Sequence, residues 1–186
     1  MSRPLKKGAT YADLRAVPEN FVAEILGGEL YASPRPASPH ALAAMALSTK
    51  LAGPFHFGEN GPGGWWLLNE PELHFGADVL VPDIAGWRRE RMPAIPNVSH
   101  FTLPPDWLCE VLSPSTERID RQKKLTIYAR EGVKHVWLVN PVLETLEVLR
   151  LDSERWSLIA VHEGHGAVRA EPFGAIELPL GALWRD

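Results

Sequence analysis

Short apolar runs separated by glycine and proline make up most of the chain, which predicts many short elements rather than a few long helices. Near the N-terminus, the runs 21–26 and 29–33 flank a Gly-Gly pair, which is typical of a β-hairpin with a two-residue turn. Before them, Thr10 and Asp13 have the spacing of a capping box and predict the start of a short helix. The pattern therefore predicts a helix and a hairpin over residues 10–33.

The middle of the chain carries two helix patterns, with strand patterns between and after them. The Ala- and Leu-rich run 39–52 begins with Ser-Pro and predicts a largely buried helix. The predicted strands that follow it are 65–69, 72–75, 79–87 and 106–112. A second helix is expected to begin after a cap at Thr116 and to end at Gly132, before a strand over 135–140.

Two apolar runs near the C-terminus, 145–151 and 155–161, are separated by Asp-Ser-Glu and predict a second β-hairpin. Helices that interrupt a series of strands indicate a mixed α/β sheet with helices packed on it. We therefore expect one α/β domain over residues 1–186, with a helix-flanked core at 38–141 and C-terminal strands at 145–186.

Composition and charge narrow the class of protein. The chain has 186 residues, of which 45% are hydrophobic and 23% charged, as in ordinary globular domains. Its formal net charge of −4 differs from the strongly basic character of proteins that bind nucleic acid non-specifically. The single cysteine, Cys109, excludes an intrachain disulfide and a multi-cysteine metal site. With no signal-peptide pattern and no apolar run of about 18 residues, we expect a cytoplasmic protein without a membrane span.

Two acidic residues lie inside predicted core strands, where an unpaired charge is expensive to bury. With the period of two that strands have, Asp83 shares a face with Val81 and Ala85. In the same way, Glu110 shares an otherwise apolar face with Leu108. If the two strands are neighbours, both carboxylates can converge, and two such charges are stable together mainly with a divalent cation between them.

A lysine on the following helix completes a candidate hydrolytic site. Lys124 lies on the edge of the apolar side of that helix, one turn before Tyr128. Its amine would position an attacking water and help to deprotonate it. Two carboxylates, a hard cation and a lysine indicate phosphodiester hydrolysis. Lys123 is the rival for this role, and the phase of the helix favours Lys124.

Several motifs occur in order along nearly the whole chain. They are Ser38-Pro-His40, Pro82-Asp83, Glu110-Val-Leu-Ser-Pro-Ser115, Lys124-Leu-Thr-Ile-Tyr128-Ala-Arg-Glu-Gly132 and Trp137-Leu-Val-Asn-Pro141. Together with the leading hairpin that ends in Gly-Glu-Leu, they resemble the Uma-two family of restriction-endonuclease-like proteins, a branch of the PD-(D/E)XK nuclease superfamily.

The resemblance implies a restriction-endonuclease-like α/β core, Mg²⁺ or Mn²⁺ as the metal, and often a homodimer. In the superfamily pattern, Asp83 is the metal-binding aspartate and Glu110 the second acidic ligand. The residue two positions after Glu110 is Leu112 rather than lysine, so the usual acidic-x-Lys motif is interrupted. The chain resembles variants in which the lysine has moved to the next helix, and Lys124 matches that position.

Other roles for the same side chains stay open. Glu110 can form a buried ion pair with Lys124 and bind no metal, and Lys124 can pair with Asp120 at the surface. Glu24 resembles an acidic position of the family, and its alternative is a strand residue that faces water. His40 can contact phosphate or water near the site, and its alternative is a helix-terminal histidine satisfied by the backbone. We therefore treat Glu24 and His40 as auxiliary candidates.

Two groups of basic residues flank the predicted site and would supply a phosphate-binding rim. They are Arg88, Arg89 and Arg91 after the Asp83 strand, and Arg118, Arg121, Lys123, Lys124, Arg130 and Lys134 on or after the second helix.

We therefore expect a Mg²⁺-dependent endonuclease that cleaves DNA. The alternatives are a catalytically silent binding or scaffold protein with this fold, and a phosphodiesterase acting on RNA or a small phosphorylated molecule. Leu146 and Val148 share a face of the second hairpin, which forms either a dimer interface or part of the core.

Overall fold

The structure, a computed structural model, describes residues 3–184. Within this range the strands are β1 (Lys6–Lys7), β2 (Phe21–Leu26), β3 (Glu29–Pro34), β4 (Trp65–Asn69), β5 (Leu73–Phe75), β6 (Asp78–Leu80), β7 (Ile84–Arg88), β8 (Trp107–Val111), β9 (His135–Asn140), β10 (Thr145–Asp152), β11 (Arg155–Glu163), β12 (Ala167–Val168) and β13 (Leu178–Pro179). The helices are α1 (Tyr11–Arg15), α2 (Ser38–Leu51), α3 (Glu117–Ile119) and α4 (Leu125–Arg130). A π-helical segment, Ala52–Phe57, extends α2, another, Asp120–Lys124, joins α3 to α4, and a short 3-10 turn covers Leu180–Ala182.

The larger sheet has six strands in the order β11-β10-β9-β8-β7-β4. β8 and β9 are parallel, and the other neighbouring pairs are antiparallel. A parallel pair needs a crossover connection, and residues 117–130, which we call the crossover helix, provide it. The sheet is mixed and helices pack against it, as the sequence pattern predicts.

The N-terminal hairpin belongs to a second sheet, whose strand order is β1-β3-β2-β6-β5. Its turn is formed by Gly27 and Gly28, whose φ angles of 61° and 75° are unfavourable for most other residue types. The capping box is also confirmed, since the side chains of Thr10 and Asp13 each bind the backbone of the other residue. Both local patterns at the N-terminus therefore predict the structure correctly.

Helices pack on both faces of the larger sheet, and successive residues of β8 reach these two faces in turn. On one side, Cys109 packs in an apolar cluster with Leu47 and Leu51 of α2. On the other side, Leu108 packs in a second cluster with Ile127 of the crossover helix. The end of β8 that carries Glu110 is therefore held between two apolar layers.

The prediction of one strand over 79–87 is wrong. The chain forms β6 and β7 there, in two different sheets, and the break falls at Pro82. Proline has no N–H to donate to a sheet ladder, so a strand is interrupted at such a residue. The alternation from Val81 to Ala85 does not continue across the break, and Asp83 lies in the link between the strands.

Both long helical stretches contain π-helical turns that apolar periodicity does not predict. The segment after α2 continues to Phe57 instead of ending near residue 52. The π-helical segment of the crossover helix, Asp120–Lys124, contains two charged residues that are buried. π-Helical turns are rare in proteins, and those that occur often lie at functional sites.

The C-terminal hairpin, β10–β11, forms as predicted and extends slightly beyond the predicted ends. Leu146 and Val148 are both buried in the apolar cluster that also contains α2 residues. The alternative that this face is an exposed dimer interface is therefore wrong, and the face packs on the core. In the described part of the chain, every helix is too short or too polar to cross a bilayer.

Candidate functional site

A cleft of about 370 Å³ opens between the N-terminal hairpin, the start of α2 and the end of β8. Its charged and titratable lining residues include Glu24, His40, Asp83, Glu110, Asp120 and Lys124. The residues that the sequence analysis selects as catalytic or auxiliary therefore line one cleft, although they come from different segments of the chain.

Glu110 and Lys124 form a buried ion pair in this cleft. The Nζ atom of Lys124 lies 2.8 Å from each carboxylate oxygen of Glu110. The hydroxyl of Tyr128 donates a hydrogen bond of 2.6 Å to Oε1 of Glu110. Each side chain of the ion pair is only 4% exposed. Both oxygens of Glu110 therefore have partners within the protein.

Lys124 also contacts two further carboxylates. Its Nζ atom lies 3.0 Å from Oε1 of Glu24 and 3.5 Å from Oδ1 of Asp120. The backbone N–H of Val81 donates a hydrogen bond of 2.9 Å to the same oxygen of Glu24. One ammonium group thus faces three carboxylates, which leaves an excess of negative charge when all of them are ionised.

Asp83 is held at the end of β8 by the backbone rather than by an ion pair with an arginine. The N–H of Val111 donates a hydrogen bond of 2.7 Å to Oδ2 of Asp83. Nε2 of His40, at the start of α2, lies 3.3 Å from the other oxygen, Oδ1. Because Val111 follows Glu110, this bond brings the two acidic side chains to the same edge of the sheet.

Burial disfavours the ionised form of the acids in the cleft. It raises the pKa of Glu110 well above its ordinary value, although the positive charge of Lys124 opposes this shift. Burial likewise raises the pKa of Asp120 to about 6, again against the opposing effect of Lys124. A cluster whose acids resist ionisation is one that an added cation would stabilise.

The neighbouring acids favour the protonated forms of the two basic groups. Burial by itself lowers the pKa of Lys124, but Glu110 and Glu24 outweigh it and raise that pKa well above its ordinary value. Burial also opposes protonation of His40, and its interactions with Asp83 outweigh this effect, so the pKa of His40 is raised. Lys124 is therefore a cationic hydrogen-bond donor near neutral pH.

Only one of the two adjacent lysines in the π-helical segment lines the cleft. Lys124 lines the cleft, as the phase of the helix predicts. Lys123 points to the N-terminal hairpin instead, with Nζ 3.0 Å from Oε2 of Glu29 and 42% of its side chain exposed. The structure thus places Lys124, and not Lys123, beside the two carboxylates.

Two of the alternatives raised by the sequence are wrong. Lys124 does not pair with Asp120 at the surface, because both side chains are buried. Glu24 does not face water, because it contacts Lys124 and its side chain is 13% exposed. Asp120 and Tyr128 were not predicted as site residues, although each lies four positions from Lys124 and thus on the same helix face.

The structure does not place the expected basic rim around the cleft. Among the described residues that line it, Lys124 is the single member of those two basic groups. Several of the others are held in ion pairs elsewhere: Arg121 with Glu117 and Glu147, Arg130 with Asp78 and Glu131, and Arg91 with Asp106. Arg35, which the sequence analysis missed, lines the cleft and lies 3.7 Å from Glu70.

The donor set of the cleft fits a hard divalent cation. Asp83 and Glu110 supply carboxylate oxygens, the ligand type that Mg²⁺ prefers. Within residues 3–184, no three acidic or histidine side chains of the cleft bring ligand atoms within 4.8 Å of one another. A cation there would therefore complete its shell with water or phosphate oxygens, as Mg²⁺ commonly does when one or two carboxylates bind it.

Comparisons with known proteins agree with the observed fold. The Uma2 family model, described as "Putative restriction endonuclease", matches residues 9–181. A crystal structure of a putative nuclease belonging to DUF820 from Anabaena variabilis ATCC 29413 matches with a TM-score of 0.74. The two sequences are 21% identical, and the match covers 95% of this chain and 97% of that one. No curated protein matches the chain.

Proposed function

The chain belongs to the Uma2 family of putative restriction endonucleases, and on that premise we propose that it is a metal-dependent nuclease that hydrolyses phosphodiester bonds in DNA. The observation that carries the proposal is the acid-rich cleft, in which one lysine faces three carboxylates and a fourth, Asp83, lies beside them. When these acids are ionised, they leave an excess of buried negative charge that a divalent cation would neutralise. The protein of similar fold from Anabaena variabilis is described as a putative nuclease, and this description supports the same class of reaction.

Asp83 and Glu110 would hold the metal, and their oxygens suit Mg²⁺ or Mn²⁺. When bound, such a cation supplies Lewis-acid stabilisation of the phosphate charge and lowers the pKa of a bound water. The protein contributes the placement of both ligands. The N–H of Val111 orients Asp83, and the hydroxyl of Tyr128 orients Glu110.

Lys124 would orient the attacking water or a phosphate oxygen through its N–H groups. Its pKa is raised well above the ordinary value, because Glu110 and Glu24 outweigh the effect of burial. A lysine in that state donates hydrogen bonds and does not accept a proton. We therefore propose that Lys124 positions the water and stabilises negative charge, and its positive charge would favour deprotonation of that water without accepting the proton.

DNA is proposed as the substrate because the family description is that of a restriction endonuclease. Hydrogen-bond donors for phosphate oxygens are present at the cleft, in Arg35 and in the hydroxyl groups of Ser113 and Thr116. Few other cations line it, so we expect DNA affinity to depend only weakly on salt concentration.

A catalytically silent protein is the second candidate, because both oxygens of Glu110 are already engaged by Lys124 and Tyr128. In that case the acid cluster stabilises the fold and holds no metal. The two candidates differ in one measurable property, since only a nuclease requires Asp83 to bind a divalent cation.

The test combines Mg²⁺ and Mn²⁺ titration calorimetry with nicking of supercoiled plasmid by the same samples. Asp83→Asn is a suitable variant, because its amide oxygen can still accept the hydrogen bond from Val111. Lys123→Gln is the matched control, because this side chain lies outside the cleft. We expect the wild type and Lys123→Gln to bind metal and nick DNA, and Asp83→Asn to do neither while remaining folded.

Two other results would contradict this proposal in different ways. Absence of metal binding by the wild type would favour the silent protein. Metal binding without plasmid cleavage, followed by cleavage of RNA or of a small phosphodiester, would move the proposal to those substrates.

A further inference from the structure

A second cluster of metal-ligating side chains lies outside the cleft. Glu72 directly precedes β5, and His74 is within that strand. Because they are two positions apart, both side chains lie on the same face of the strand. His100 belongs to the proline-rich loop 93–105. None of these three residues lines the catalytic cleft.

The backbone brings the loop to the strand. The N–H of Phe101 donates a hydrogen bond of 2.8 Å to the carbonyl of Glu72. The N–H of His74 donates one of 2.9 Å to the carbonyl of Phe101. His100 is thus fixed next to β5 by main-chain hydrogen bonds on the residue that follows it.

The side chains converge closely. Oε1 of Glu72 lies 2.6 Å from Nε2 of His74 and accepts a hydrogen bond of 2.8 Å from the hydroxyl of Tyr11. The rings of His74 and His100 are stacked, with centroids 3.9 Å apart and planes inclined by 18°. Because an imidazole binds a metal in its ring plane, one of the two rings must rotate for both to bind the same ion. One ligand atom from each of Glu72, His74 and His100 lies within 4.8 Å of the other two. Among residues 3–184, no other histidine, cysteine and acid side chains form such a group.

We infer that Glu72, His74 and His100 bind a divalent transition-metal ion of the Zn²⁺ class. Two imidazoles and one carboxylate are the protein ligands of many zinc sites that leave one coordination position open. Imidazole suits Zn²⁺, Cu²⁺ and Ni²⁺, whereas Mg²⁺ prefers oxygen ligands and a hydrated shell. The site would therefore select a different metal from the acidic cleft.

Hydrogen bonds around the cluster resemble the outer shell of a metal site. The hydroxyl of Tyr11 holds the carboxylate of Glu72, and the hydroxyl of Ser99 lies 3.1 Å from Nδ1 of His100. Partners of this kind orient metal ligands in proteins. The side chains of His74 and Glu72 are 17% and 26% exposed, so solvent reaches both of them.

A bound ion would connect two segments that are separate in the chain. Glu72 and His74 lie at the start of β5, and His100 belongs to the loop 93–105. Linking the loop to the strand would stabilise this edge of the second sheet. The role assigned to this ion is structural, so its loss should leave the chemistry of the cleft intact.

The test is a Zn²⁺ and Co²⁺ titration of the full chain in excess Mg²⁺, which occupies oxygen sites. It is run on the wild type and on Asp83→Asn, so that binding at the acidic cleft is recognised separately. We expect one equivalent of Zn²⁺ to bind in both proteins, with the visible absorption of a low-symmetry, nitrogen-ligated site when Co²⁺ is used. His100→Ala and Glu72→Gln should each weaken binding by about tenfold or more, since even lost outer-shell partners cost about 10–100-fold.

His165→Ala is the matched control, because it removes a histidine whose side chain is 58% exposed and which is not part of the cluster. It should bind Zn²⁺ as the wild type does. Thermal unfolding without metal checks that each variant folds. Equal Zn²⁺ affinity in wild type and His100→Ala, or loss of binding only in Asp83→Asn, would overturn this inference without affecting the proposed nuclease. Conversely, failure of the nuclease test would not affect the inference of a Zn²⁺ site at Glu72, His74 and His100.

Discussion

The two polar clusters of this molecule contain similar groups but differ in burial. In the cleft, the side chains of Lys124 and Glu110 are 4% exposed, and one ammonium group faces the carboxylates of Glu110, Glu24 and Asp120. In the cluster at β5, His74 and Glu72 are 17% and 26% exposed, and water can solvate each group. We therefore expect the loss of one interaction partner to lower the free energy of unfolding far more in the cleft than at β5.

The largest effect is expected from Lys124→Met. This change leaves Glu110, Glu24 and Asp120 facing one another without a cation. Removal of one partner from a buried ion pair typically costs about 3–5 kcal/mol. We expect a loss of that order in the free energy of unfolding, measured with urea at pH 8, and a smaller loss at low pH, where the acids are protonated.

Lys123→Met is the control for that measurement, because its ion pair with Glu29 is partly exposed. Exposed pairs contribute about 0–1 kcal/mol. Equal losses for the two lysine variants would show that burial does not distinguish them, and this would contradict the comparison.

A smaller effect of opposite sign is expected from Asp120→Asn in buffers without divalent metal. The pKa of Asp120 is raised from 3.8 to about 6, chiefly by burial, so the folded state retains a proton that the unfolded state releases. The wild type therefore loses stability from this group as the pH rises from about 4 to 6. The variant lacks this loss and should be more stable by about 2–3 kcal/mol at pH 8, but similar near pH 4.

Urea unfolding at a series of pH values measures this effect. A stability difference between Asp120→Asn and wild type that stays constant from pH 4 to pH 8 would contradict the assigned cause. Glu117→Gln is a control, because this acid lies on the same helix and its side chain is 39% exposed.

The smallest effect is expected from Glu72→Gln in the absence of metal. The glutamine oxygen can still accept the hydrogen bond from Tyr11, and water can solvate the remaining groups. We expect the free energy of unfolding to change by less than about 1 kcal/mol, as is usual for partly exposed polar groups. Glu90→Gln, an exposed site away from the cluster, serves as the control. A loss as large as that of Lys124→Met would remove the distinction between the two clusters.

Much of the fold could be predicted because its signals are local. The Gly27-Gly28 turn, the capping box at Thr10 and the helix from Ser38 depend on neighbours in the chain, and the structure has all of them. The expectation that this helix is largely buried is wrong, because among residues 38–51 only Ala43, Ala46, Leu47 and Leu51 are buried. The single strand over 79–87 was wrong because strand periodicity does not show that Pro82 sends the two halves to different sheets.

The candidate site could be predicted in part. Asp83 and Glu110 were selected because charges inside apolar runs are unusual, and the structure brings both to one cleft. The sequence leaves open a surface ion pair between Lys124 and Asp120, because helix spacing shows which residues are neighbours and not how deeply they are buried. The prediction of a basic rim is wrong because spacing along the chain does not show ion pairs with distant segments. Arg121 pairs with Glu147, and Arg130 pairs with Asp78.

By itself, the sequence determined the family, the hairpins, the helix starts and the acidic residues that interrupt apolar runs, because these depend on residue type and short spacing. Only the tertiary structure decided that Lys124 is buried, that three carboxylates surround it, and that His100 stacks on His74. These features arise from contacts between segments far apart in the chain. Burial then sets the energy of each charge, and burial is a property of the folded chain rather than of any short stretch of it.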